Sequence, residues 1–305
     1  MSLGGTYQDH YKDMFKETLL LEAQQMGSRL EQSVMIESMS GNKTYFDKLG
    51  KVTNYIKSSR GQAKNLSDIT FERRQVQEEF AEFDHLIDRE DLIKYVQDPK
   101  SEVVQSAVAE LGRRKDLVIH NALAGNAVVT TDGSSANQAL TLSVAVDNHD
   151  FDSGSGDVAL TSGKLKKAVS LILANHGASS NERLICVAPI DQIMNLSTES
   201  EQISGDFRAT KALDGPGIVK GLSGYMGIDF IAYDEQILVD GSADERIFLY
   251  SESAIKLGIF EPLKVEIDRA VERAGNPDIL SVFEAIGATR MYEEKVVEIL
   301  CNPIA

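Results

Sequence analysis

The sequence predicts an α+β chain whose parts follow one another as an amphipathic N-terminal arm, a long β-hairpin, one long helix, an inserted α/β unit and returning strands. Three observations carry this. Apolar residues recur at helical spacing near the N-terminus and again across residues 98–125. Between them lie two runs rich in β-branched and aromatic residues, joined by a polar linker that contains glycine. Beyond residue 160, helical and strand-like runs alternate, the mark of a mixed α/β unit.

In the arm, Phe15, Leu19, Ala23, Met26 and Leu30 step by three or four, predicting an amphipathic helix over the first 35 or so residues. Such a stripe needs a partner surface, in its own chain or in a neighbour. The pattern breaks at "SMSGNKT", where Gly41-Asn42 is a turn signal.

Next, "KTYFDKLGKVTNYIKSS" and "DITFERRQVQEEFAEF", joined by "RGQAKNLSD", predict a hairpin over residues 41–83 that projects from the body. Between residues 41 and 75, eight Lys/Arg face three Asp/Glu, although the whole chain has a net charge of -16. A basic arm on an acidic body can attract a copy of that body as well as any anionic ligand. The alternative is a solvated hairpin with a chance charge bias.

The stretch "EFDHLIDREDLIKYVQDP", residues 82–99, sets His85 among six acidic side chains. Zinc sites want two or more suitably spaced His or Cys, HExxH is absent, and His10, His120, His149 and His176 are scattered. The expected role is therefore a connector, with Phe83, Leu86, Ile87, Leu92, Ile93 and Tyr95 packed inward and the acids wet. Asp98 as N-cap and Pro99 in the first turn then open a helix over 98–125. Val104, Val108, Leu111, Val118 and Ala122 share one of its faces, and Gly125 is its terminator.

Residues 130–156 read as loops and short strands. "TSGKLKKAVSLILANHG" reads as a helix closed by Gly177, "RLICVAP" as a buried strand, and Pro189 as the opening of a short helix. A Gly-rich excursion (205–227) precedes the strand-like "IDFIAY" and "RIFLYS". "LKVEIDRAV", "DILSVFEAIG" and "KVVEILC" close the chain as strands.

No chemical motif survives inspection. "GSGDVALTSGK" resembles a phosphate loop, but six residues separate Gly156 from Gly163 and Leu165 follows Lys164 where a hydroxyl is needed. Thr161 and Ser162 read as helix-capping residues. "GLSGY" lacks the G-x-S-x-G register. Cys186 and Cys301 form no CxxC pair, which suits a reducing compartment, and Cys186 reads as a core thiol. No catalytic residue, cofactor or metal ligand is assigned. The acidic balance argues against a chain-wide nucleic-acid binder. No apolar run approaches 18 residues, so no transmembrane helix is expected. The polar N-terminus lacks a secretory pattern, and a soluble protein made inside the cell is expected.

The order of parts resembles the major capsid proteins of tailed bacteriophages, which have the Hong Kong 97-type coat fold. The likeness covers nearly the whole chain. It is strongest in "QQMGSRLEQSV" leading into "YFDKLGKV", in residues 83–125, and in "GATRMYEEKVVEILC". It implies an N-terminal arm (1–40), an extended loop (41–83) lying across a neighbouring subunit, and a peripheral domain (84–135 and 263–305) holding the spine helix. An axial domain (136–262) is implied too, with "SGDFRATKALDGPGIVKG" placed where a tip loop could lie. The implied partners are copies of the chain in pentamers and hexamers, a separate scaffolding protein, a portal, and packaged DNA enclosed without sequence-specific binding. No membrane partner is implied, and the location would be the virion. Expected inter-subunit contacts are Phe15, Leu19, Lys51, Lys57, Arg60, Lys64, Arg73 and Arg74. Neither Lys57 nor Lys64 matches a cross-linking motif, so no covalent chemistry is carried over. A bacterial nanocompartment shell, a soluble α/β enzyme using the acids near His85, and a nucleic-acid binder using the basic hairpin are the other readings.

Overall fold

The long helix is the axis around which the other elements pack. A computed structural model describes residues 25–50, 52, 55–64, 69–87, 100–131, 134–147, 156, 158–175, 182–198, 222–225, 227–233, 244–269 and 277–304. Phe15, Leu19, Lys51, the acidic stretch after Ile87, the Asp98-Pro99 cap, Gly177 and most of the Gly-rich excursion lie outside these residues. Within them, α1 spans Lys100–Ala124. Its first half sets Ala107 and Leu111 against Val282, while its second half buries Val118, Ile119 and Leu123 in a larger core. Fully burying such side chains stabilises the fold by about 1.5–3 kcal/mol each.

The described residues form three sheets, two of which pack on the helix. One has the order β1-β12-β13-β4, built from Met35–Ser38, Ile255–Arg269, Asp278–Arg290 and Glu79–Ile87. β1 joins it in parallel with β12, and the other pairs are antiparallel. The register of β12 against β13 shifts around Phe260–Leu263, where Pro262 has no N–H to give to a ladder.

The second sheet runs β7-β14-β11-β8-β10-β9: Ser143–Val144, Val296–Cys301, Glu245–Ser251, Leu184–Pro189, Ile228–Tyr233 and Leu222–Tyr225. It is buried on both faces. Ile185, Val187, Phe248 and Tyr250 face the α1 side, and Cys186, Ala188, Ile247 and Leu249 face the other. There α2 (Ser162–Ala174) and α3 (Ile190–Thr198) cover it with Leu165, Ile172, Ile193 and Leu196. Thr161 caps α2, its hydroxyl accepting from the Lys164 N–H at 3.2 Å.

The third sheet, β2-β3-β5-β6, is the hairpin and its foot: Lys43–Leu49, Phe71–Gln77, Ala127–Thr131 and Ser134–Gln138.

Four expectations change. Residues 25–34 are not an α-helix but an irregular segment with a 3-10 turn at Glu31–Ser33. Gly27 turns the chain at φ 79°, and Asp116 takes the N–H groups of Arg29 and Leu30 that a continuing helix would use internally. The second hairpin strand stops at Gln77, not 83, because the Glu78 N–H closes the hairpin on the Asn42 carbonyl at 3.1 Å. Residues 79–87 are consequently an edge strand of the first sheet, with Phe83 and Leu86 exposed and only Ile87 buried. Pro189 ends β8, and α3 starts after it. Finally, the expected domain limit at 262/263 falls inside β12, and the closing strand β14 belongs with β11 in the six-stranded sheet, not with β12 and β13.

Candidate assembly interface

The hairpin is held rigidly at its foot and presents its length to solvent. Gly258 and Gly287 are cross-strand partners in β12 and β13. A Cβ on Gly287 would stand 2.2 Å from the Gln77 carbonyl, and one on Gly258 would stand 2.1 Å from the Met39 sulfur. At Gly287 the hairpin backbone therefore crosses the sheet at a distance only glycine permits, whereas at Gly258 the close neighbour is the end of a flexible side chain.

A buried charge cluster fixes the same region. Arg74 in β3 is 1% exposed and donates through Nη1 to Glu293 Oε1 at 2.6 Å. The other oxygen of Glu293 accepts from Arg290 Nε. Arg290, also buried, turns its Nη1 to the carbonyls of Leu123 and Gly125, each at 2.8 Å, and its Nη2 to Gln138 O at 3.1 Å. Its cation thus satisfies the free carbonyls at the C-terminus of α1, where the helix dipole favours positive charge. Arg74 was expected to contact a neighbouring subunit. Its burial removes it from any such surface, and the ion pair explains why a charged side chain sits there.

Away from the foot the picture reverses. Leu49 and Phe71, directly opposed across the hairpin, are 55% and 63% exposed, and Ile56 near the tip is 90% exposed. Val52, Tyr55 and Ile69 extend this exposed apolar run. The tip itself is folded back: Gly61 turns at φ 84°, and Gln62 Oε1 accepts from Ser58 N at 2.8 Å. Lys57, Arg60 and Lys64 are exposed there, and residues 55–64 hold no acid. Arg73 is exposed too, but it is paired with Asp47 at 2.7 Å.

The body carries an acidic face. On the outward side of the first sheet, Asp84 and Glu266 flank Ser281 in one row, with Glu82 and Asp268 in the rows beside it, and all four acids are exposed.

The N-terminal segment is fastened to α1. Asp116, wholly buried, accepts from Gln25 Nε2 at 2.6 Å, Ser28 Oγ at 2.5 Å, Arg29 N at 3.0 Å and Leu30 N at 3.0 Å. One turn earlier, Gly112 lets the Gly27 backbone pass where a Cβ would meet it at 2.6 Å. Nothing in the sequence pattern singled out Asp116, Arg290 or Glu293. Gly112 within a helical run is the one signal that could have been read as a close backbone approach.

His85 is exposed on an edge strand, stacked on Phe83 at 6.4 Å, and its neighbour Asp84 accepts from Ser281. Among the described residues, no group of three His, Cys, Asp or Glu could hold a metal ion. Lys164 is buried, its ammonium donating to the carbonyls of Val158 and Leu300 at 2.7 Å each, so it works as a cross-tie between segments. Burial pushes the Cys186 thiol well above its usual range and the Cys301 thiol up to about 12, which leaves both unreactive.

Comparison with known proteins agrees with this geometry. The family model described as "Phage capsid protein" matches residues 7–302. Among solved structures, the capsid asymmetric unit of cyanophage Pam1 superposes with a TM-score of 0.72 at 10% identity, covering 99% of each chain. The capsid of Ralstonia phage GP4 gives 0.69 at 10% identity over 100% of this chain and 99% of that one. Mycobacterium phage Che8 gives 0.65 at 14% identity over 94% and 96%. No curated protein matches. With its sheets and spine helix in the Hong Kong 97-type arrangement, and with the family model spanning nearly its full length, the chain belongs to the phage capsid protein family and is a major capsid protein, a building block of a phage shell.

Proposed function

We propose that copies of this chain close into an icosahedral shell of pentamers and hexamers around the double-stranded DNA of a tailed phage, and that the hairpin is the principal bridge between neighbours. The observation that carries this is the presence on one chain of an exposed, acid-free basic tip, Lys57, Arg60 and Lys64, and an exposed acidic sheet face around Asp84 and Glu266. Unlike patches on one subunit are what head-to-tail contacts need if they are to close around an axis. Each contact can be modest, because many copies acting together hold the container. The first sheet with α1 serves as the peripheral domain and the six-stranded sheet with α2 and α3 as the axial domain. A separate scaffolding protein and a portal take part in assembly. The chain's work is structural, and the acidic body encloses DNA without gripping it, since tight phosphate binding requires Lys and Arg.

The test is charge reversal. Lys57→Glu, Arg60→Glu and Lys64→Glu together abolish or slow assembly of otherwise folded subunits, and reversing Asp84 and Glu266 to Lys in the same chain restores it. Normal assembly of the triple variant at physiological salt contradicts the role given to the tip.

A further inference from the structure

Residues 25–34 form a strap between the spine helix and the six-stranded sheet. At one end Asp116 on α1 holds Gln25, Ser28, Arg29 and Leu30. Toward the sheet, Arg29 Nη1 donates to the Ala232 carbonyl of β10 at 3.1 Å, and Ser33 Oγ shares a hydrogen bond of 2.6 Å with the Tyr250 hydroxyl of β11. Leu30 and Val34 are buried in the core that lies between these elements.

A buried charge cluster makes the second fastening of the strap to α1. Lys115, next to Asp116, lies 2.9 Å from Glu284 Oε1 on β13 and 3.6 Å from Glu31 Oε1 on the strap. The Glu284 side chain is 3% exposed and that of Glu31 is 32% exposed, so the shorter contact belongs to the deeper carboxylate. One ammonium thus serves two carboxylates. The other charged groups packed around them are engaged elsewhere: Arg114 with Glu79, Asp116 with the strap, and Glu261 of β12 with Lys264. From β4, Glu284 is faced by the uncharged Ala81.

Burial first, with the nearby Glu31 charge, outweighs the Lys115 contact and raises Glu284 above the ordinary glutamate range. Burial acts to lower Lys115, but Glu284 and Glu31 together raise it, so its ammonium stays charged throughout the acid range. We propose that this cluster is a proton-operated latch: protonation of Glu284 hands the Lys115 ammonium to Glu31 and tightens the strap on α1. A carboxyl raised in the fold binds its proton more tightly there than in the unfolded chain. The hold therefore grows as pH falls through the raised value and is complete below the ordinary one. The latch works within a single copy and stands whether or not the hairpin bridges subunits.

The test is hydrogen exchange on unassembled full-length subunits, reading the Leu30 and Glu31 amides relative to an amide in the central strand β11. The ratio cancels the intrinsic effect of pH on exchange and any change in global stability. Between about pH 7 and about pH 5, relative protection of the strap should rise roughly two- to fivefold. Glu284→Gln, a neutral isostere, should give the higher protection at both pH values, and Glu31→Gln the lower protection at both. No response in the unaltered chain, or a response that persists in Glu284→Gln, overturns the inference. Should Glu284→Gln fail to fold, Glu31→Gln at its partly exposed position decides alone, since a response that survives it overturns the latch equally.

Discussion

Arg74 and Glu293 stand 219 residues apart in sequence and 2.6 Å apart in the fold, both almost wholly buried. Through this contact the foot of the hairpin is tied to the chain's closing segment, and through Arg290 to the end of the spine helix. Removing Glu293 leaves two buried guanidinium groups without their shared carboxylate, whereas removing Arg74 leaves Glu293 still paired with Arg290. Glu293→Ala should lower subunit stability by about 3–5 kcal/mol, and Arg74→Ala by less. The double variant should cost less than the sum, because each change already removes the shared contact. Urea unfolding of unassembled subunits checks both statements.

The two facing glycines should differ in tolerance. Alanine at Gly287 meets the Gln77 backbone carbonyl, which cannot move without displacing the hairpin. Alanine at Gly258 meets the end of the Met39 side chain, which can swing away. Gly287→Ala therefore lowers the melting temperature more than Gly258→Ala does, and Met39→Ala relieves the Gly258→Ala strain while leaving the Gly287→Ala loss in place.

Asp116 is the fastening point of the N-terminal segment. Asp116→Ala orphans the Leu30 N–H and frees Gln25, Ser28 and Arg29. Hydrogen bonds to a charged acceptor contribute about 1.5–3 kcal/mol each, so a loss of at least about 3 kcal/mol is expected. Amide exchange at Leu30 accelerates, and proteolysis between residues 25 and 34 begins under native conditions. Unchanged exchange at Leu30 would contradict this role.

His120 makes the fold sensitive to acid. Its imidazole is buried in α1 between Tyr233, stacked at 6.4 Å, and Phe248, edge-on at 5.6 Å, and neither ring nitrogen has a hydrogen-bond partner. Burial first, and the nearby Arg246 guanidinium second, lower its pKa from 6.5 to about 4. The charge of Arg246 is itself answered by Glu298. The unfolded chain thus takes up this proton first as pH falls. The stability His120 allows is intact above pH 6.5, declines between 6.5 and about 4, and levels off below, for a total of about 3 kcal/mol. His120→Phe should flatten that part of the stability profile, as measured by unfolding at a series of pH values.

Elements set by local pattern were legible from the sequence: the hairpin strands, the spine helix and the runs 184–189, 228–233 and 296–301 all form. What escaped notice depends on distant partners. β1 is a strand because β12 lies beside it in parallel, a pairing that leaves no turn signal nearby. "KVVEILC" reads as a strand, but its sheet is chosen by β11, some fifty residues earlier. Arg74 looks in sequence like Arg73 beside it, and only Glu293 decides that one is buried and the other wet. The candidate interface was half visible. The basic bias of the hairpin is local and readable, whereas the acidic face that complements it is assembled from β4 and β12 across a sheet.

The most direct measurement is electron microscopy with sedimentation of the purified protein, alone and co-expressed with the genes beside its own. Closed particles, or rings of five and six subunits, are the expected result, with the hairpin of each subunit resolved across the acidic sheet face of the next. Monomers or dimers that persist when a scaffolding protein is present would contradict the assembly proposed for this chain.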